Sequence, residues 1–276
     1  MTDSTPNPNT LLKAAAVIAR SAGELLKEAY HQPREIDTKS STIDLVTQAD
    51  RASEAMILNA LKERFPEHNI LAEESHPAGA GAGLTWIVDP LDGTTNFAHG
   101  FPVFAVSIAL WDEQGPLLGV VYDPLREECF AAVRGQGATL NDELIHVSNI
   151  KTLDKALLAT GFPYDRHTAE DNNVASLSAF IRKAQGVRRA GSAALDQCYV
   201  ACGRLDGFWE MRLHAWDVAA GMLIVREAGG KVTDYQDDEK SDLLRRGEQI
   251  VASNGLIHSG MIDTLREVYA NLQSKK

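Results

Sequence analysis

The chain has 276 residues, of which 44% are hydrophobic and 24% charged, so it can bury a core and is unlike the polar, charge-rich composition of disordered chains. Its length suits two packed lobes. A net charge of -11 opposes non-specific binding to nucleic acid or anionic lipid, which need a basic face.

Residues 11–30 place Leu12, Ala15, Ala16, Ala19, Ala22, Leu25, Leu26 and Ala29 at three-to-four spacing, which predicts an amphipathic helix ended at Pro33. After a polar stretch over 39–44, Thr47 and Asp50 form a cap-like start to a second helix, whose apolar face carries Met56, Ala60, Leu61 and Phe65 and which stops at Pro66. Short β-rich runs follow at 85–88, 104–111, 117–122 and 129–133, with residues 112–116 as a hairpin connection. Their closeness in sequence predicts an antiparallel sheet covered by the two helices. Beyond Ser148, strands at 157–160, 187–189, 207–210, 231–233 and 250–252 alternate with helices near 172–184, 192–201, 217–228 and 257–272, which predicts an α/β lobe. The expected division is 10–147 and 148–276, tightly packed as one functional unit.

Three cysteines, Cys129, Cys198 and Cys202, are too few for a disulfide framework, and packing is their default role. Residues 1–10 lack a secretory pattern and no apolar run reaches the roughly 20 residues of a membrane span, so a cytoplasmic protein is expected.

The most informative segment is Trp86-Ile87-Val88-Asp89-Pro90-Leu91-Asp92-Gly93-Thr94-Thr95-Asn96, where an apolar strand runs into two carboxylates. Hard oxygen ligands of this kind suit Mg²⁺, and the groups after Gly93 can hold an anion at a helix start. Spacing alone equally allows an ordinary Asp-rich turn. Glu73-Glu74 follows the short apolar run Asn69-Ile70-Leu71, so one of the two can face inward, although such doublets are usually solvated. Asp217 precedes an apolar helical run and reads either as a cap or as a ligand.

Taken together, Asp44-Leu45-Val46-Thr47 with Asp50, Glu73-Glu74-Ser75, Asp89-Pro90-Leu91-Asp92-Gly93-Thr94-Thr95 and Trp216-Asp217-Val218-Ala219-Ala220-Gly221 closely resemble the inositol monophosphatase family. The tracts 188–194 and 203–210 resemble its bacterial branch. The resemblance implies a layered α/β/α/β/α sandwich of the inositol monophosphatase and fructose-1,6-bisphosphatase type, an α+β to α/β fold, usually homodimeric. It also implies a Mg²⁺-dependent, lithium-sensitive phosphatase acting on inositol monophosphate or a similar small phosphorylated polyol.

By the same resemblance Glu73, Asp89, the Leu91 carbonyl, Asp92 and Asp217 are metal ligands. Gly93, Thr94 and Thr95, with Asp92 and Asp217, surround the phosphate. Asp50 orients Thr94, Thr94 and Glu73 position and deprotonate the attacking water, Lys39 lies near the site, and Gly191, Ser192, Ala193 and Glu210 contact the polyol. Ala215 departs from the family, standing where animal members often have Cys. Related substrates fit the same motifs: fructose 1,6-bisphosphate, NADP, nucleotide 3′-phosphates and histidinol phosphate. A basic cluster, Arg182, Lys183, Arg188 and Arg189, offers a different role, contact with RNA or the transcription machinery, against the alternative of a solvated helix end or dimer contact.

Overall fold

The computed structural model describes residues 7–32, 41–75 and 83–273, with side chains placed except for 41–47 and 273. Lys39 lies outside the described residues, as do the side chains of Asp44 and Thr47.

The first helix, α1 (Pro8–His31), starts where the Asn7 side chain accepts the Asn9 N–H and Pro8 takes the first position. It buries Leu11, Ala15, Ile18, Ala22 and Leu26. The second, α2 (Ser41–Arg64), begins six residues before the expected Thr47 start, so Asp50 sits inside the helix and is no cap. Ile43, Leu45 and Val46, with no Gly or Pro among them, carry the helix back through that stretch.

Both helices cover one face of a seven-stranded sheet with strands in sequence order: β1 (Asn69–Ala72), β2 (Thr85–Asp92), β3 (Ala105–Asp112), β4 (Gly115–Asp123), β5 (Glu128–Val133), β6 (Ala138–Leu140) and β7 (Glu143–Ile145). The sheet is antiparallel as expected except at its β1–β2 edge, which is parallel. A short helix, α3 (Thr94–His99), follows β2. Successive strand residues point to opposite faces. Trp86, Val88, Ile108, Leu110 and Val120 therefore pack with α1 and α2, while Ile87, Ala109 and Val121 join the cluster on the other face.

That other face lies on α5 (Ala193–Ala201) and α6 (Ala215–Glu227), which come after β8 (Leu157–Thr160), α4 (Val174–Lys183) and β9 (Gly186–Arg188) in the chain. Contact is close at Gly119 of β4, where a Cβ would lie 2.9 Å from the Cα of Ala220. A second sheet of five strands, in the order β11-β12-β10-β8-β9, covers the far side of α5 and α6. Its remaining strands are β10 (Gly207–Met211), β11 (Lys231–Thr233) and β12 (Gln249–Ser253), with the short helix α7 (Asp242–Arg245) before β12. α4 and α8 (His258–Gln273) close the outer face, where Phe180, Met261 and Leu265 pack on Trp209 and Val251. The result is the layered α/β/α/β/α sandwich the motifs implied. Among the described residues no helix is long and apolar enough to cross a membrane.

Candidate active site

Residues three apart on a regular strand face opposite sides of the sheet. Asp89 and Asp92 escape that rule because the β2–β3 register shifts between them, a bulge that swings both carboxylates to the same end of β2. The bulge is held from below: Ser53 of α2 donates to the Pro90 carbonyl at 2.9 Å, and the Leu91 N–H donates to Asp89 Oδ1 at 3.0 Å. Glu73 leaves β1 beside it, its N–H bonded to the Val88 carbonyl at 3.2 Å and its side chain hydrogen-bonded to Asp89. Its neighbour Glu74 is exposed, so one of the doublet faces inward. Asp217 enters from the first turn of α6, where its Oδ2 accepts the His214 N–H at 2.6 Å. Asp89, Asp92 and Asp217 each offer an oxygen within 4.8 Å of the others.

Asp89 and Asp92 are only 1% and 7% exposed, so their charges are poorly solvated. Burial, followed by the Asp217 charge, pushes both Glu73 and Asp92 up to about 7. Burial and the neighbouring carboxylates push Asp89 well above the usual range. Asp92 is partly relieved at the start of α5: the Ser192 hydroxyl donates to Oδ2, as does the Ala194 N–H at 2.8 Å, and the Ala193 N–H reaches Oδ1 at 3.3 Å. Behind the cluster, burial and Glu73 raise Asp50 to about 8, and its Oδ1 has no hydrogen-bond partner among the described residues. Among the described residues, the charges that act most strongly on Glu73, Asp89 and Asp92 are those of neighbouring carboxylates. The chemistry of such a crowded, all-oxygen donor set fits a hard divalent ion.

Above this floor lies a cleft of about 150 Å³ lined by Glu73, Asp92, Gly93, Thr94, Thr95 and Asp217 on one side, and by Gly191, Ala193 and Glu210 on another. Gly93 has φ 94°, and a Cβ there would lie 2.9 Å from the Val103 carbonyl, so the turn needs glycine. The N–H groups of the first turn of α3 have no partner within the helix. The Thr94 hydroxyl donates to the Leu91 carbonyl at 3.0 Å, and Asp50 is not its partner in this arrangement. Ser192, expected against the polyol, turns inward onto Asp92, because a helix start and a buried carboxylate stabilise each other. Glu210 reaches the cleft from β10, and burial pushes its carboxyl well above the usual range, with Asp196 adding to the shift and Arg189 opposing it.

Sequence reasoning missed Phe162, Tyr164, Arg166, Arg189 and Arg212, all of which line the cleft. Arg189 had been grouped with a basic surface patch. The patch is divided: Lys183 pairs with Glu267 at 2.6 Å, Arg182 donates to Ser178, and Arg189 turns to the cleft.

The five-layer sandwich and the acidic floor of its cleft define a phosphatase of the layered α/β type. The chain belongs to the inositol monophosphatase family, whose sequence profile matches residues 7–270. The inositol-1-monophosphatase of Synechocystis is 48% identical over 257 residues, covering 93% of this chain and 88% of that protein. The Nus factor SuhB of Haemophilus influenzae is 44% identical, covering 94% and 96% of the two chains. The inositol monophosphatase structure from Anabaena superposes with a TM-score of 0.86 at 43% identity, over 95% of this chain and 97% of that one.

Proposed function

We propose that the chain is a Mg²⁺-dependent phosphatase that hydrolyses inositol monophosphate or a similar small sugar phosphate. The observation that carries this reading is the triad of carboxylates from β2 and α6, with oxygens within 4.8 Å of one another at the floor of the cleft. Glu73, Asp89, the Leu91 carbonyl, Asp92 and Asp217 would hold the metal. When bound, divalent cations supply charge neutralisation on the phosphoryl oxygens and on the departing alkoxide.

The protein's own groups do the rest. The N–H groups of Gly93, Thr94 and Thr95 hold phosphate oxygens at the start of α3. Thr94 orients a water in line with the scissile bond, and Glu73, one wall of the cleft, takes its proton. An O–P bond forms as the bond to the sugar oxygen breaks, the sugar alkoxide takes a proton from solvent while Glu73 returns to solvent the proton it removed from the attacking water, and no side chain is phosphorylated. Asp50 is buried behind the cluster and its carboxyl is raised in part by Glu73, while Glu210 accepts hydrogen bonds from the hydroxyls of the leaving group. Residues 10–147 supply most of the ligands and residues 148–276 supply Asp217 and Glu210, so both halves act as one unit.

Phosphate release from a panel of esters, with Mg²⁺ and with a chelator, tests the reading. Asp92→Asn, which keeps the shape but removes a charge, is expected to abolish turnover with an unchanged circular dichroism spectrum. Substantial activity in that folded variant at saturating Mg²⁺ refutes the ligand assignment. The Nus factor name of the Haemophilus relative favours a second role, contact with RNA or the transcription machinery. Salt-dependent RNA binding lost in Arg188→Ala, at a residue exposed outside the cleft, would support it. Homodimer formation belongs to the same proposal and is read by sedimentation.

A further inference from the structure

The cleft is polarised. Its floor is built of carboxylates, yet its lining includes Arg166, Arg189 and Arg212, in a protein whose net charge is -11. Arg189 has a structural employment, because its charge opposes the upward push of burial on the carboxyls of Asp196 and Glu210. The other two do not. Among the described residues the Arg166 guanidinium has no carboxylate partner. Among the described residues Arg212 pairs only with Asp165, at 2.5 Å, and the two side chains are 38% and 53% exposed. Such solvated pairs are worth little, so an incoming anion can displace the aspartate.

Local geometry supports a purpose for Arg212. It lies just past the end of β10 with φ 57°, a left-handed conformation that glycine adopts freely and that costs other residues on the order of 1 kcal/mol. The chain keeps a long cationic side chain on the cleft wall at a position suited to glycine. Arg166 is presented just as deliberately. Its segment, between β8 and α4, is fixed at both ends by Asn173, whose amide donates to the Gly161 carbonyl at 2.6 Å and to Thr160 Oγ1 at 2.8 Å, and accepts from Trp209 Nε1 at 2.8 Å. The tie also couples that segment to β10, the strand that carries Glu210 and leads into Arg212.

In the phosphatase reading the scissile phosphate sits beside the start of α3, above the cluster of Asp89, Asp92 and Asp217. We propose that the leaving group of the true substrate carries a second anionic group, a phosphate or a carboxylate, held by Arg166 and Arg212 at the cleft wall. This inference rests on the phosphatase reading above. Guanidinium groups bind either anion through paired N–H donors, and charge-assisted contacts of this kind favour the doubly anionic ester by about tenfold or more.

Two matched pairs of esters test it: fructose 1-phosphate against fructose 1,6-bisphosphate, and glycerol 2-phosphate against 2-phosphoglycerate. Within each pair the molecules differ by one anionic group, and the two pairs separate phosphate from carboxylate as its source. The wild type is expected to prefer the doubly anionic member of at least one pair by about tenfold in kcat/KM, mainly through KM, with the preference shrinking at high salt. The variant Arg166→Gln/Arg212→Gly should bring that ratio close to one. Glycine relieves the backbone at 212, so loss of fold does not confound the result, and Arg212→Lys should restore part of the preference. Turnover with no preference in either pair overturns the inference alone, as does a double variant that slows both members equally. Absence of turnover on every ester overturns the phosphatase reading and this inference with it.

Discussion

Removing divalent cations should make the stability of this protein depend on pH in an unusual direction. Asp92 is pushed from an ordinary 3.8 to about 7, and Glu73 from 4.5 to about 7, chiefly by burial. Between about pH 4 and 7 the folded protein therefore binds more protons than the unfolded chain, so stability present at low pH is lost as pH climbs through about 7. A shift of roughly three units on Asp92 corresponds to an upper bound of about 4 kcal/mol. Glu73 titrates with it as one system, so its share is not added, and relaxation of the site lowers the expected loss to about 2 kcal/mol. For a chain of this length that is a fall in Tm of about 4 °C. Differential scanning calorimetry in chelator from pH 5.5 to 8 should show that fall, and Asp92→Asn should flatten it. Saturating Mg²⁺ should raise Tm more at pH 8 than at pH 5.5, because cation and protons compete for the same oxygens. Equal Mg²⁺ increments at both pH values, or a metal-free Tm that rises with pH, would refute the electrostatic account of the floor.

Thr94→Ala and Glu73→Gln should each lower kcat by about 10²- to 10⁴-fold, and the double variant should lose less than the product, since both act on one water. A fully multiplicative loss in single-turnover rates would separate them. Glu210→Gln should slow inositol monophosphate more than an aryl phosphate, and equal losses would remove Glu210 from leaving-group recognition. Gly119→Val should destabilise the protein by about 1–3 kcal/mol in urea melts, because the new side chain meets the backbone of Ala220; an unchanged midpoint would contradict the close packing of α6 on β4. Lithium should inhibit at millimolar levels in the presence of Mg²⁺, uncompetitively with substrate if it traps the product-bound enzyme; rates unaffected at tens of millimolar would exclude that sensitivity.

The parts of the site that one segment encodes were readable before any coordinates. Asp89 to Thr95 announce an oxygen-rich turn, and the apolar run after Asp217 places that residue at a helix start. What brings Asp89 and Asp92 to one side is a register shift against β3, which depends on pairing with another strand and leaves no local trace. Arg212 and Arg166 escaped for a similar reason. Their role comes from where β10 and β8 end in the second sheet, and in the sequence they are ordinary surface arginines. That Arg189 lines the cleft was not readable because charge alone does not reveal which way a side chain turns. The β6–β7 hairpin was a different kind of omission, since Asn141-Asp142, both at positive φ, is a recognisable two-residue turn between very short strands. The early start of α2 reflects a stretch from Ser41 to Thr47 that contains no Gly or Pro to stop a helix.

The origin of the cleft's two sides bears on how such an enzyme diverges. The bulge of β2 is wedged between α2 and the start of α5, so a change at Asp89, Asp92 or their supports disturbs buried hydrogen bonds from both sides. Arg166 and Arg212 are exposed side chains in the segments that follow β8 and β10, and of the two only Arg212 has an ion-pair partner, Asp165, among the described residues. Substitutions there meet little resistance from the core. A lineage can therefore trade one leaving group for another by single changes at the wall while the hydrolytic floor stays fixed, and relatives with one fold and one set of acids need not share a substrate.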